Sequence, residues 1–179
     1  MHKAERPPPC PAAGSRVLGI DTSLRSTGLG VVECNGQRYG MTDQDVLQNR
    51  PKLSLTACLH SIHAGVARII ERSSPAAVAI EGAFFQKNPR TAMLLGHARG
   101  AALTACVQAG LPVYEYSPRK VKQALVGFGS ADKTQVRKML VALLSLEKEP
   151  QEDVGDALAL ALCHFHHQSA HAILQPEPI

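Results

Sequence analysis

The sequence lacks several features that mark common protein classes. No apolar run approaches the roughly 20 residues needed to cross a bilayer, which excludes a spanning helix of the usual kind. The opening stretch, MHKAERPPPCPAAGSR, carries charge and proline but no apolar core, so it does not read as a secretory signal. No CxxC pair occurs among Cys10, Cys34, Cys58, Cys106 and Cys163. Their odd count and wide spacing suggest neither a disulfide framework nor a zinc knuckle, and a reducing, cytoplasmic setting follows. Internal repeats are also missing. What is present is the balance of an ordinary globular chain: 179 residues, 45% hydrophobic and 19% charged, enough for one domain with a core. Lys and Arg number 19 against 15 acids, a net charge of +4 that permits a nucleic-acid partner without requiring one.

The apolar period organises the chain. Residues 1–14 read as a disordered, proline-rich leader, residues 15–168 as one domain, and residues 169–179 as a flexible tail. RVLGID and TGLGVVE read as strands, and QRYGMTD as a third, with a turn at Asn35-Gly36. Leu55, Leu59, Ile62, Val66 and Ile69 recur at helical spacing up to Arg72, where Ser73-Ser74-Pro75 stops the helix. AAVAIE is a buried strand, Arg90 to Gln108 a helix, and LPVYEY another strand. Helices over SPRKVKQALVG, ADKTQVRKMLVALLSL and QEDVGDALALALCHF complete the chain. Gly96 and Gly100 weaken the second helix, a cost that close approach of another backbone would offset. Three strands followed by alternating helices and strands imply a mixed α/β sheet covered by helices.

Four acids stand where chemistry would need them. Asp21 ends the first strand, Glu81 ends the fourth, and Asp153 and Asp156 share one face at the start of the last helix. Oxygen ligands drawn from separate segments suit hard cations such as Mg²⁺ or Mn²⁺. Duller roles exist for two of them: Asp21 as a turn residue before Thr22-Ser23, Asp153 as an acid complementing the helix dipole. Glu81 is harder to explain away, because an acid behind VAI on a central strand is costly to bury unless paired or bound to metal. Spacing alone leaves a shared metal site open. Glu115 and Glu152 read as structural and solvated. Cys163, His164, His166 and His167 have the wrong spacing for a metal cluster and read as a helix end with exposed histidines. Arg119, Lys120, Lys122, Lys133, Arg137 and Lys138 form a plausible phosphate-binding surface.

Taken in order, GIDTSLRSTGLGVVE, AIEGAFFQKNPRTAMLLGHARGAAL, PVYEYSPRKVKQALVGFGSADKTQV and EDVGDALALALCH resemble the RuvC family of Holliday junction resolvases, from about Arg16 to His167. The resemblance implies a ribonuclease H-like fold with a mixed five-stranded sheet flanked by helices. It also implies a homodimer and an endonuclease that nicks four-way DNA junctions in recombination and repair, leaving ligatable 5′-phosphate ends. Asp21, Glu81, Asp153 and Asp156 match the family's carboxylates and would hold Mg²⁺, two ions per site, with Mn²⁺ as an alternative. The helix carrying LLGHARGAAL resembles the dimer-forming helix. Phe84 matches the aromatic near the junction centre, and Lys122 and Lys133 match basic residues near the scissile phosphate. Arg119 joins them as a DNA-binding candidate, and a branch-migration motor is an implied partner. The chain departs from the family in having Thr22-Ser23 where Pro-Gly is usual, in residues Asp43 to Pro51, and in the leader before Arg16.

Other readings make different demands. GIDTSLRSTG also resembles the first phosphate loop of actin-like ATPases and sugar kinases, whose two lobes do not fit in 179 residues. A non-catalytic junction binder would have no need of all four acids. A nuclease of the same fold acting on RNA–DNA hybrid is separated only by substrate competition.

Overall fold

The computed structural model describes residues 14–36, 38–82, 88–168 and 177–179. Among them, β1 (Ser15–Asp21), β2 (Ser26–Asn35) and β3 (Arg38–Gln48) form an antiparallel meander. α1 (Leu55–Ser73), β4 (Ala77–Glu81), α2 (Pro89–Gln108) and β5 (Val113–Tyr116) follow, then α3 (Pro118–Val126), α4 (Lys133–Leu144) and α5 (Glu152–Gln168). The strands lie in the order β3-β2-β1-β4-β5, with β4 and β5 parallel to β1. This is the mixed five-stranded α/β sheet that the sequence implies.

Local chemistry sets the boundaries. Gly36 takes the positive φ, +67°, that the β2–β3 turn requires. β3 runs further than its apolar residues suggest, to Gln48, because ten-residue β2 offers it a partner along its whole length. An extra residue on β3, Thr42, opposes the Val31/Val32 step as a bulge, and Asp43 and Asp45 charge this outer strand, which discourages edge pairing with other chains. Ser54, Asn88, Ser117 and Asp132 cap α1 to α4 by accepting backbone N–H bonds. Asp132 and Gln135 complete a reciprocal capping box.

Strand alternation sends side chains to two different cores. Leu18, Ile20, Leu29, Val31, Val78 and Ile80 face α1 and α2. Val17, Val32, Ala77, Ala79 and Tyr116 face α5, with α3 and α4 adding Leu125, Leu140 and Leu144. Asp21 and Glu81 follow the second parity, so their alternation places them on the α5 side. The C-terminal half of α5 departs from expectation. His164 is fully buried rather than exposed and shares a 2.8 Å hydrogen bond with the Tyr116 hydroxyl, while His166 and His167 are half-buried. The cause is that α5 is apolar around its circumference here, so a polar ring is carried into the core, where Nδ1 pairs with the Tyr116 hydroxyl and Nε2 has no hydrogen-bond partner among the described residues. Cys58, Cys106 and Cys163 are buried free thiols, whereas Cys34 is disulfide-bonded, a bond the cysteine spacing does not suggest. No described helix is long and apolar enough to cross a membrane.

Candidate active site

β1 and β4 are adjacent and parallel, and Ile20 pairs with Ile80. Asp21 and Glu81 therefore sit side by side at the carboxyl ends of the two central strands, a position where ligands collect in α/β sheets. The second pair of acids arrives because α5 presses unusually close to β1 and β2. A Cβ added at Gly19 would stand 1.7 Å from the Ala157 carbonyl oxygen, and one at Gly28 would stand 2.0 Å from that of Asp153. One at Gly30 would meet the Leu158 side chain at 2.7 Å. Side chains at these strand positions would hold the helix off the sheet. Their absence brings the first two turns of α5 against the end of β1.

A cavity of about 350 Å³ opens at this point. Asp21, Glu81, Asp156, Glu152, Lys122, Lys133 and Arg137 supply its polar lining, and Val121, Leu140 and Ala159 are part of its apolar wall. Asp153 stands beside the cavity rather than in its lining, with its carboxylate accepting a short hydrogen bond from the Ser26 hydroxyl. The electrostatics are those of negative charge crowded together and short of water. Burial, followed by the charges of Asp156, Glu81 and Asp153, pushes the Asp21 carboxyl up to about 7, against a smaller opposing pull from Lys133. Glu81 is raised by burial and then by Asp156. Asp156, the most exposed of these three, is raised in the same direction by burial, with Lys133 opposing.

The remaining predicted residues fall into different settings. Lys122 is half-buried and lines the cavity, and Lys133 lies exposed at its rim. Arg119 is exposed and lies outside the lining, packed beneath Gly129. Phe84 falls outside the described residues. Three contributors were not legible in the sequence. Ser26 fixes Asp153, and no motif marks it. Arg99 on α2 donates to the Glu81 carbonyl and, at 2.6 Å, to Glu115, anchoring the end of β4 from the opposite face. Glu152, expected to be only solvated, is exposed but paired with Lys133 at 2.7 Å.

The donor set fits a hard divalent cation: it is oxygen-only, drawn from β1, β4 and α5, and its charges repel one another in the absence of a counter-ion. The acids are near neighbours rather than a closed cage, and no group of three or more among the described residues is already arranged to hold a metal ion.

The strand order, together with acids at the ends of both central strands and on the helix crossing them, defines the class: a nuclease on the ribonuclease H-like fold. The family model described as "Crossover junction endodeoxyribonuclease RuvC" matches residues 17–164, and the chain belongs to that family. It is accordingly an endodeoxyribonuclease of crossover junctions, a hydrolase of phosphodiester bonds. Among curated relatives, the RuvC of Halorhodospira halophila is 51% identical over 156 residues, 87% of this chain and 93% of that protein. The RuvC of Magnetococcus marinus is 40% identical over 168 residues, 94% and 93% respectively. Thermus thermophilus RuvC, solved in complex with a Holliday junction substrate, is 36% identical with a TM-score of 0.86, covering 92% of this chain and 99% of that one. The yeast mitochondrial Holliday junction resolvase Ydc2 shares the fold at a TM-score of 0.60 with 11% identity, over 89% of this chain and 84% of that one.

Proposed function

We propose that this chain resolves four-way DNA junctions in the cytoplasm by paired hydrolytic nicks that leave 5′-phosphate ends, and that Asp21, Glu81, Asp153 and Asp156 form its catalytic centre. These four carboxylates would hold Mg²⁺, two ions per site, with Mn²⁺ as a substitute. Bound there, such ions would lower the pKa of an attacking water and would offset charge on the leaving oxygen. Around them the chain's own groups divide the remaining work. Ser26 keeps the Asp153 carboxylate turned toward β2. Lys133 and Lys122 stand at the cavity, where a cation offsets charge gathering on phosphoryl oxygens. Arg119 would hold a flanking phosphate, and Phe84 the junction centre. The apolar wall from α3, α4 and α5 limits water around the acids.

A homodimer belongs to the same reading. The exposed face of α2 carries Met93, Gly96, Gly100 and Val107 at helical spacing, and among the described residues nothing beyond the helix's own backbone lies within 4 Å of a Cβ added at either glycine. The backbone approach that those glycines suggest is made by none of the described residues, and a second copy would supply it. Two copies related by a two-fold axis would present two sites to a junction of similar symmetry. A branch-migration motor would deliver such junctions.

The observation that carries this reading is the placing of Asp21 beside Glu81 and under α5, where burial and three neighbouring acids leave it short of counter-charge. The test is Asp21→Asn on a synthetic four-way junction with Mg²⁺. Nicking should fall by more than about 100-fold while junction binding is kept. Undiminished nicking would overturn the assignment. Competition with linear duplex and RNA–DNA hybrid fixes the substrate.

A further inference from the structure

Glu152 opens α5 and lines the same cavity as Asp21, Glu81 and Asp156, yet its surroundings differ from theirs. One carboxylate oxygen, Oε1, lies 2.7 Å from Lys133 Nζ and 3.7 Å from an Arg137 guanidinium nitrogen. Lys133 and Arg137 are four residues apart, so they project from one face of α4 toward that single oxygen. An oxyanion held by a lysine and an arginine at the rim of a nuclease cavity has the contacts of a DNA phosphate. An acid in the first turn of a helix needs no such partners to complement the dipole.

We infer that the Glu152 carboxylate is a stand-in for substrate: in the DNA-free protein it occupies the place on Lys133 and Arg137 that a backbone phosphate of the junction takes, and DNA must displace it to bind. This rests on the proposed function, and it names one phosphate subsite of that site and the residue that tunes its affinity. The exposure of the pair makes the exchange feasible. Side-chain exposures of 68% for Lys133 and 55% for Glu152 mean that water, salt and the partner compete freely, so the pair is weak enough to open. Displacement returns Glu152 to solvent at little cost, and its charge then opposes the incoming strand. Glu152 is therefore a positioning residue, acting on phosphate binding through Lys133 and Arg137.

The experiment measures the dissociation constant of the full-length chain for a four-way junction in a chelator, so that no nicking occurs, across a range of salt. Glu152→Gln keeps the shape and removes the charge. It should bind about two- to five-fold tighter at low salt, with a log–log salt slope steeper by up to about one. Glu149→Gln, an exposed acid nearby on the α4–α5 connection, makes the same change in net charge and should tighten binding less. In a Lys133→Gln/Arg137→Gln background the gain from Glu152→Gln should vanish. Equal binding by Glu152→Gln and wild type overturns the inference, as does an equal gain from Glu149→Gln or a gain that survives without the two cations. A wild-type chain that holds linear duplex as tightly as the junction overturns the junction reading alone, because the Glu152 ratios can be read on either DNA. Failure to bind DNA at all overturns both.

Discussion

Glycines on β1 and β2 and glycines on α2 differ in what lies opposite them. Gly19, Gly28 and Gly30 are filled from within the chain, since α5 occupies the space their side chains would need. Gly96 and Gly100 have no described residue beyond their own helix against them. The first group makes the site, by letting a helix with two acids settle onto strands ending in two more. The second meets no described residue beyond its own helix and lies on a face where Met93 and Val107 are exposed. A glycine that costs an element stability thus has to be read with its neighbours. In the strands the offsetting contact is intramolecular and builds the acid cluster, whereas on α2 the described residues supply none.

The largest expected effect comes from filling the internal gap. Gly19→Ala would put a methyl 1.7 Å from a backbone oxygen of α5, and the whole helix would have to shift because no rotamer can turn away. A loss upwards of roughly 4 kcal/mol is expected, read as the urea midpoint. Gly28→Ala pushes on the backbone of Asp153 itself, so its nicking should fall further than its stability alone accounts for. A Gly19→Ala protein with unchanged stability would show that α5 is not seated as described.

Next comes the titration that this seating causes. Asp21 has a carboxyl near 7 in the folded chain and an ordinary value of 3.8. Between those values the folded state holds a proton that the unfolded state has lost, so folding is favoured at low pH. That advantage disappears as pH rises through 7. Full ionisation costs at most about 4 kcal/mol, and about half that once salt and residual water screen the site. Metal-free wild type should therefore lose stability between about pH 4 and 7, and Asp21→Asn should flatten the curve and raise the thermal midpoint above pH 7. A profile that is the same in both proteins would mean that Asp21 is not desolvated by α5. The cost is comparable to what one or two buried leucines of α5, such as Leu158 and Leu162, return.

On the outer side of the comparison the sign reverses. Gly96→Ala and Gly100→Ala meet no described atom beyond their own helix and should each stabilise the dissociated chain by about 1 kcal/mol through helix propensity. The double variant should also self-associate more weakly in sedimentation equilibrium. Weaker folding in dilute solution would contradict the open space seen at both positions.

Legibility in the sequence follows the same division. Strand and helix identities were readable because apolar spacing is a local signal, Asp21 and Glu81 stood out as acids ending apolar runs, and Asp153 and Asp156 as a pair on one face at the start of the last helix. Their convergence was not readable from spacing, since it depends on which strands become neighbours and on missing Cβ atoms at Gly19 and Gly28. The three histidines of α5 were misread as exposed because their polarity argues for solvent, whereas burial was decided by Leu158, Leu160, Leu162 and Phe165 around them. The pairing of Glu152 with Lys133 joins residues nineteen apart on different helices, and no local pattern encodes it.

The smallest effect tests how the tight seat is finished. Ser26 begins β2, two residues before Gly28, and donates its hydroxyl to the Asp153 carboxylate. Gly28 thus admits the backbone of Asp153 while Ser26 orients its side chain. Ser26→Ala removes the donor without filling space, so it should cost about 1 kcal/mol of stability and leave the urea transition equally cooperative. Because Asp153 would then be free to rotate, nicking should become more dependent on metal concentration with little change at saturation, and Ser26→Thr should restore it. A saturating rate that falls as far as in Asp21→Asn would place Ser26 among the groups touching substrate, and the tight seat of α5 would then not be sufficient to set the fourth acid.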